Sequence, residues 1–311
     1  MKRLFVQKGN MIMKNNVKKS IALLLALVLL AGVLAGCGKK NDSGSAAIVI
    51  GSKNFTESQL LAEIYALALE DAGYTVERKF SIANSAVHTA LVNDEIDLYP
   101  EYTGTGLLSI LQLPVETDPQ KVYDIVKKEY QDRFNVVWLD YAEANDGQGL
   151  VITTAASEQY GIKTISDLQR YATELRFASQ GEFDEREDGL PALIATYGPF
   201  DWKSSAVYEY NLRYQILSSG EADVAPAATT EGQLIQEEFT LLEDDKQVWP
   251  PYNIAPVVRG SVLEANPGIA DVLNAISAKI DTATITALNA KVDVDKYEYD
   301  EVAKEFYDSI K

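Results

Sequence analysis

Short apolar runs alternate with turn-forming residues along most of this chain, and their spacing switches between a period of two and one near 3.6. Residues 48–51 (Ile-Val-Ile-Gly) predict a short buried strand and residues 52–55 a loop. Thr56-Glu57-Ser58-Gln59 has capping-box spacing, and Leu60, Leu61, Ile64, Tyr65 and Leu67 behind it keep helical period. Lys53 then falls between a strand end and a helix start, a place suited to an anion such as a carboxylate. Next come a strand over 74–82, a cap at Asn84-Ser85 with a helix through His88 to Val92, and a strand over 96–99. Pro100 predicts the end of that strand, and Thr103-Gly104-Thr105-Gly106 a turn into an apolar helical segment over 107–111. The chain is organised around this stretch, because ligands in open α/β sheets sit where a strand ends and a helix begins. A helix over 119–133 and a strand over 135–141 complete the series, whose β-α order predicts a parallel sheet with helices on both faces.

Turn residues cluster at 145–149 and again at Trp249-Pro250-Pro251-Tyr252-Asn253. Between them lies a second series: strands over 150–154, 175–178 and 222–225, a helix capped by Thr164 with Asp167, a loop over 179–189, and helices over 190–197 and 231–238. A strand over 254–258 follows the second cluster, and 267–311 is helical in pattern with starts at Pro267-Gly268, Asp281 and Asp295. Two breaker clusters around an independent α/β block predict two lobes joined by two crossings. Residues 48–148 with 252–311 would form one lobe and residues 149–251 the other.

The N-terminal pattern is of another kind. Lys14, Lys18 and Lys19 precede an apolar run over 21–33, and Leu34-Ala35-Gly36-Cys37 closes it with small residues. These are the regions of an export signal, and the run falls short of the roughly 18 apolar residues of a membrane span. The last four residues resemble the lipobox of bacterial lipoproteins, which implies that 1–36 is a signal peptide and that Cys37 is lipidated. Residues 37–47 are polar and small, as a flexible tether is. Six of the 28 Lys and Arg and none of the 46 Asp and Glu precede Cys37, leaving 22 against 46, a formal charge of −24. Such acidity argues against nucleic acid and against an electrostatic grip on anionic lipid, and weakly favours cationic ligands.

Catalytic chemistry has little to draw on. Cys37 is the chain's one cysteine and His88 its one histidine, so the fold carries no disulfide, thiol nucleophile or His/Cys metal site. His88 sits mid-helix between apolar neighbours, where a structural role is expected. The carboxylate pairs Asp94/Glu95, Glu182/Asp184, Glu185/Glu187 and Asp244/Asp245 read as solvated faces in so acidic a chain. With no phosphate loop or dinucleotide fingerprint, the expectation is a binding protein without enzyme activity, cofactor or metal.

Several ordered motifs carry a closer likeness. Gly51-Ser-Lys-Asn-Phe-Thr-Glu57, Asn84-Ser-Ala-Val-His88, Asp97-Leu-Tyr-Pro-Glu-Tyr-Thr-Gly-Thr105, Gly181-Glu-Phe183, Arg186-Glu-Asp-Gly-Leu-Pro191, Thr229-Thr-Glu-Gly232, Pro250-Pro-Tyr252 and Ala255-Pro-Val-Val-Arg259 resemble the substrate-binding proteins of osmoprotectant ABC importers. That resemblance implies an α/β fold of the two-lobed, type II periplasmic-binding-protein kind with a hinge. It also implies an extracytoplasmic receptor whose partners are an ABC permease and ATPase, and a ligand such as glycine betaine, choline or carnitine. It places the ligand's carboxylate on Lys53, Thr105 and Arg186. The aromatic box for the ligand's cation would fall on Tyr102, positions 148 and 228, and Tyr252, with an acidic group at Asp146. Gln148 and Ala228 stand where the pattern has Tyr, and Ser58 where it often has Gln. A half box is wider and more polar, which favours a bulkier zwitterion, carnitine or the betaine of a ring amino acid, over glycine betaine. A sensor or adhesion lipoprotein that has kept the fold and lost transport is the alternative from another class.

Cys37→Ser should release the protein from the membrane fraction or mislocalise it. Unchanged fractionation with membranes would refute the lipid anchor.

Overall fold

The computed structural model describes residues 47–311. The signal peptide, Cys37 and all of the tether but its last residue lie outside the described residues. Strands β1 (Ile48–Lys53), β2 (Val76–Ile82), β3 (Leu98–Tyr102), β4 (Val136–Trp138) and β10 (Ile254–Arg259) form one sheet in the order β2-β1-β3-β10-β4. Strands β5 (Gln148–Thr153), β6 (Arg176–Ser179), β7 (Ser204–Val207), β8 (Val224–Ala228) and β9 (Phe239–Leu241) form the other, in the order β7-β6-β8-β5-β9. Helices α1 (Thr56–Asp71), α2 (Val87–Val92) and α3 (Pro119–Phe134) belong to the first series. Helices α4 (Thr154–Tyr160), α5 (Ile165–Tyr171), α6 (Gly181–Glu185), α7 (Leu190–Tyr197) and α8 (Arg213–Ser218) belong to the second, and α9 (Gly260–Ala265), α10 (Gly268–Ser277), α11 (Thr282–Asp293) and α12 (Tyr299–Ile310) follow β10.

The two sheets repeat one topology, and it is not the wholly parallel one that the element order predicts. In the first, β1 runs parallel to β2 and β3, but β10 is antiparallel to β3 and β4. In the second, β6 runs parallel to β7 and β8, but β5 is antiparallel to β8 and β9. The reversed strands are β5 and β10, the first to form after each passage between sheets. Neither is reached through a helical crossover of the kind that returns a chain parallel to itself.

Pro100 does not end β3, as its ring predicts, but stands inside it opposite Pro256 of β10. The Pro256 carbonyl accepts from Leu139 N–H at 3.0 Å, so the edge of Pro256 that lacks a donor faces β4. Two prolines paired with their donor-free edges turned away from each other forfeit no bond between β3 and β10. Other local expectations also change. The N-cap of α1 is Phe55 without a side-chain bond, because Thr56 Oγ1 donates to Asp293 at 2.7 Å and Glu57 turns inward. Ala86, not Asn84 or Ser85, caps α2. Helix α6 forms inside the expected 179–189 loop, and the expected 231–238 helix is a 3-10 turn (Gly232–Ile235) followed by β9. Helix α12 starts after Glu298, not at Asp295.

Caps elsewhere follow the sequence. Thr164 and Asp167 make a reciprocal capping box on α5, and Asp281 accepts Thr284 N–H at 2.7 Å to start α11. A large apolar cluster runs beneath both sheets, joining Leu61 and Ile64 of α1 to Leu150, Phe177 and Val224 of the second sheet. A separate cluster packs α3 and Trp138 on the other side of the first sheet. There His88 lies edge-on to Tyr130 and Phe134, at 5.2 and 4.7 Å between ring centres, as a packing residue.

The 3-10 turn at Gly232 meets α11 so closely that a Cβ on Gly232 would lie 2.5 Å from the backbone nitrogen of Ala290. Gly232→Ala should therefore cost about 1–3 kcal/mol of unfolding free energy through backbone displacement, read from urea titrations. An unchanged midpoint would mean that the turn and α11 separate freely.

Candidate functional site

The two passages between sheets run side by side. Tyr252 N–H donates to Asn145 Oδ1 at 2.6 Å, Asp146 N–H donates to the Tyr252 carbonyl at 3.1 Å, and Thr229 Oγ1 donates to the Asn145 carbonyl at 2.7 Å. These bonds bring the ends of β1, β3 and β8 and the start of β5 to one place. Except for Ser58, in the first turn of α1, every residue expected from the sequence as a ligand contact stands on one of these segments or passages, on the helical turn after β3, or on the loop before α7.

Lys53, at the end of β1, is buried and forms an ion pair with Glu101 of β3. Its ammonium also lies over the Tyr102 ring, 4.6 Å from the centroid. Glu101 further accepts from Tyr99 hydroxyl at 2.7 Å and from Tyr102 N–H at 2.9 Å. Ser58 Oγ accepts Lys53 N–H at 2.9 Å, a bond that shapes the loop before α1. Tyr102 is buried, stands 6.0 Å from Phe55 between ring centres, and donates its hydroxyl to Glu57 at 3.0 Å. Glu57 accepts also from Asn289 Nδ2 at 2.8 Å, while Asp146 accepts from Thr230 Oγ1 at 2.7 Å. Thr105 lies partly buried in the helical turn Thr103–Thr105; its neighbour Thr103 does the bonding there, donating to the Pro251 carbonyl and accepting from Asn253 N–H, both at 3.0 Å.

The second group centres on Asp188. Arg186 donates to it through Nε at 2.8 Å and Nη2 at 2.6 Å, Gln148 Nε2 at 2.7 Å and Tyr252 hydroxyl at 3.3 Å. Gln148 stands directly opposite Ala228 across the β5–β8 ladder, so the two positions without Tyr are neighbours. Tyr252 lays its ring against Gly104, where a Cβ would be 2.6 Å away. Glu57, Glu101, Asp188, Thr230 and Asn289 join the site without being expected there from the sequence, although all but Asn289 lie inside the motifs quoted above.

The electrostatics of the two groups differ. Burial pushes the Glu57 carboxyl up, against its hydrogen bonds, and burial with the Glu57 charge beside it holds Asp146 well above the usual carboxylate range. Neither has an ion-pair partner among the described residues. Burial also works against ionised Asp188, but the Arg186 bonds and charge outweigh it and hold that carboxyl below its ordinary value. Among the described residues no group of three or more His, Cys, Asp or Glu side chains is arranged to hold a metal ion.

Two sheets of one topology, whose connecting passages converge on buried aromatic and acidic groups and on the exposed Arg186 guanidinium, define a type II periplasmic binding fold. A family model described as the substrate binding domain of ABC-type glycine betaine transport systems matches residues 46–309. The chain belongs to this family, whose members are extracytoplasmic solute-binding proteins that work with an ABC permease. It is 30% identical over 313 residues to an ergothioneine transport permease/ergothioneine binding protein of Helicobacter pylori, covering 100% of this chain and 56% of the relative. This chain thus spans little more than half the length of that relative. A carnitine transport binding protein of Listeria monocytogenes is 32% identical over 297 residues, covering 93% of this chain and 96% of its own. The crystal structure of a glycine betaine/carnitine/choline ABC transporter aligns with a TM-score of 0.76 at 25% identity, over 84% of this chain and 98% of that one.

Since folding raises the Glu57 value, its charge costs stability that is absent below about pH 4, where the unfolded group is protonated too, and complete above the raised value. Glu57→Gln should remove that cost. The unfolding free energy of the variant minus that of the parent should climb from pH 4.5 to 8 in urea titrations, and a flat difference would refute the assignment.

Proposed function

We propose that this chain is a lipid-anchored receptor of an ABC importer that captures a quaternary ammonium or betaine-type compound between two lobes and delivers it to a permease driven by an ATPase. The lobes are residues 48–148 with 252–311, and 149–251. The observation that carries the ligand class is the pair of carboxyls, buried Glu57 and partly buried Asp146, that lack a basic partner beside Tyr102. A ligand cation placed there supplies the missing positive charge, and a quaternary ammonium, which has no N–H to donate, is held by ring faces and nearby carboxylates. Arg186 is the group for the ligand's carboxylate end, because its fork can engage both oxygens.

The pairing of Gln148 with Ala228 favours a ligand larger than glycine betaine. One position bears an amide and the other only a methyl group, which leaves room where two rings would otherwise close on the ligand. Carnitine and betaines of ring amino acids fit that description, and the names of the Listeria and Helicobacter relatives are consistent with it.

Calorimetry of the purified protein against glycine betaine, choline, carnitine, ring betaines and ordinary amino acids tests the class. Binding of a quaternary ammonium compound is expected, and binding only of ordinary amino acids would overturn it. A ring face over a desolvated cation is worth roughly 2 kcal/mol, about 30-fold in affinity, so Gln148→Tyr combined with Ala228→Tyr, which adds two faces, should tighten glycine betaine by at least about 30-fold. The same change should weaken the bulkier ligand by clash. A double variant that leaves the ratio of the two affinities where it was would take these positions out of the box.

A further inference from the structure

The Gln148 amide stands at a position where the ligand's surroundings would otherwise be a ring, and its orientation is fixed by its neighbour. Asp188 is ionised and can only accept, so the side of the amide facing it must be Nε2. The Tyr252 hydroxyl is already directed at the same Asp188 oxygen, at 3.3 Å, and stands 3.4 Å from Nε2. This leaves the Gln148 carbonyl oxygen on the opposite edge of the amide. Oε1 has no hydrogen-bond partner among the described residues. Gln148 is only partly buried, and its cross-strand neighbour Ala228 carries only a methyl group.

Asp188 is itself held from several sides. Gly189 N–H donates to the Arg186 carbonyl at 3.0 Å, closing a tight turn that sets Arg186 and Asp188 side by side. Gly189 is needed for it, since a Cβ there would lie 2.1 Å from the Phe183 carbonyl oxygen. Trp249 Nε1 donates to the Asp188 carbonyl at 2.6 Å, and Arg186 grips the carboxylate with two bonds. The carboxylate is thus a fixed acceptor, and Gln148 adapts to it.

We propose that Asp188 is a positioning residue that locks the Gln148 amide with Oε1 toward the ligand, and that Gln148 selects quaternary ammonium compounds carrying a hydrogen-bond donor, a hydroxyl or a ring N–H. This rests on the ligand class proposed above and narrows it. Glycine betaine has no such donor; carnitine has a hydroxyl on its chain. A ligand donor that reaches Oε1 satisfies an acceptor that would otherwise be desolvated without a partner when the cleft closes, and a donor-free ligand leaves it so.

The clean comparison is carnitine against the same molecule without its hydroxyl, since both carry one trimethylammonium and one carboxylate. Calorimetry on the purified full-length protein should give a preference of about 10-fold for carnitine. Gln148→Met, similar in length without the amide, should abolish the preference. Asp188→Asn, which can face the amide with either a donor or an acceptor, should shrink the ratio of the two affinities at least threefold; any change that releasing Arg186 brings to the carboxylate contact falls on both compounds alike and leaves their ratio where it was. A role of Asp188 confined to holding the loop would instead lower both affinities together. Asp188→Ser, scored in the same way, stands in if the Asn variant fails to melt like the parent, and loss of folding in both overturns the positioning role. A parent that binds both compounds equally, or a preference that survives Gln148→Met, refutes this inference alone. A parent that binds neither refutes the ligand class as well.

Discussion

The buried ion pair of Lys53 and Glu101 is the interaction on which the site's architecture rests. Strands β1 and β3 lie side by side, yet their ladder register is confined to Ile50 opposite Leu98. Side chains hold what the ladder does not. At the start of β3 the Asp97 carboxylate takes Val49 N–H at 2.8 Å and is itself paired with Arg259 of β10. At its end Lys53 reaches across to Glu101. Removing one partner of a buried pair leaves the other charged and unsolvated, at a cost of about 3–5 kcal/mol. Because Glu101 also fixes the Tyr102 amide and the Lys53 ammonium covers the Tyr102 ring, the pair that joins the strands also sets where that aromatic face can point.

Charge balance then separates the region into two kinds of ground. Around Lys53 and Arg186 each cation already has a carboxylate of the protein. Around Glu57 and Asp146 the acid is in excess, and desolvation is what the protein bears for it. An acidic chain can carry many carboxylates on its surface at little cost, so the −24 charge of residues 37–311 says nothing by itself. Two carboxyls side by side without a cation, Glu57 buried and Asp146 partly so, are a different matter, because there the missing charge is worth far more than it would be in water.

Much of the fold was legible because it rests on local signals. The apolar run at 254–258 is a strand, the Thr164–Asp167 spacing is a capping box, and Leu190–Tyr197 is a helix. What escaped was set by partners far along the chain. The direction of β10 depends on where the chain comes from, and the tolerance of Pro100 on meeting Pro256. Glu57 looked like part of a helix cap, and only the arrival of Asn289 and Tyr102 makes it a buried acid. For the site, the segments that carry the motifs converge on one region, and Gln148 and Ala228 are direct neighbours across β5 and β8. Asp188 passed unnoticed because an acid two residues from an Arg, in a chain rich in acids, has no sequence signature that tells a fixed acceptor from a solvated side chain.

The return of β10 to the first sheet also constrains how the molecule is made. Strand β10 lies between β3 and β4, so the first sheet is divided in two until Arg259 has left the ribosome. The second sheet draws all five of its strands from Gln148 to Leu241, and so it can close first. In synthesis from the N-terminus, the segment that begins earlier must wait for the one that begins later. Over that interval β4 has no strand to pair with, and Glu57, whose partner Asn289 is not yet made, can keep its charge in water at no desolvation cost.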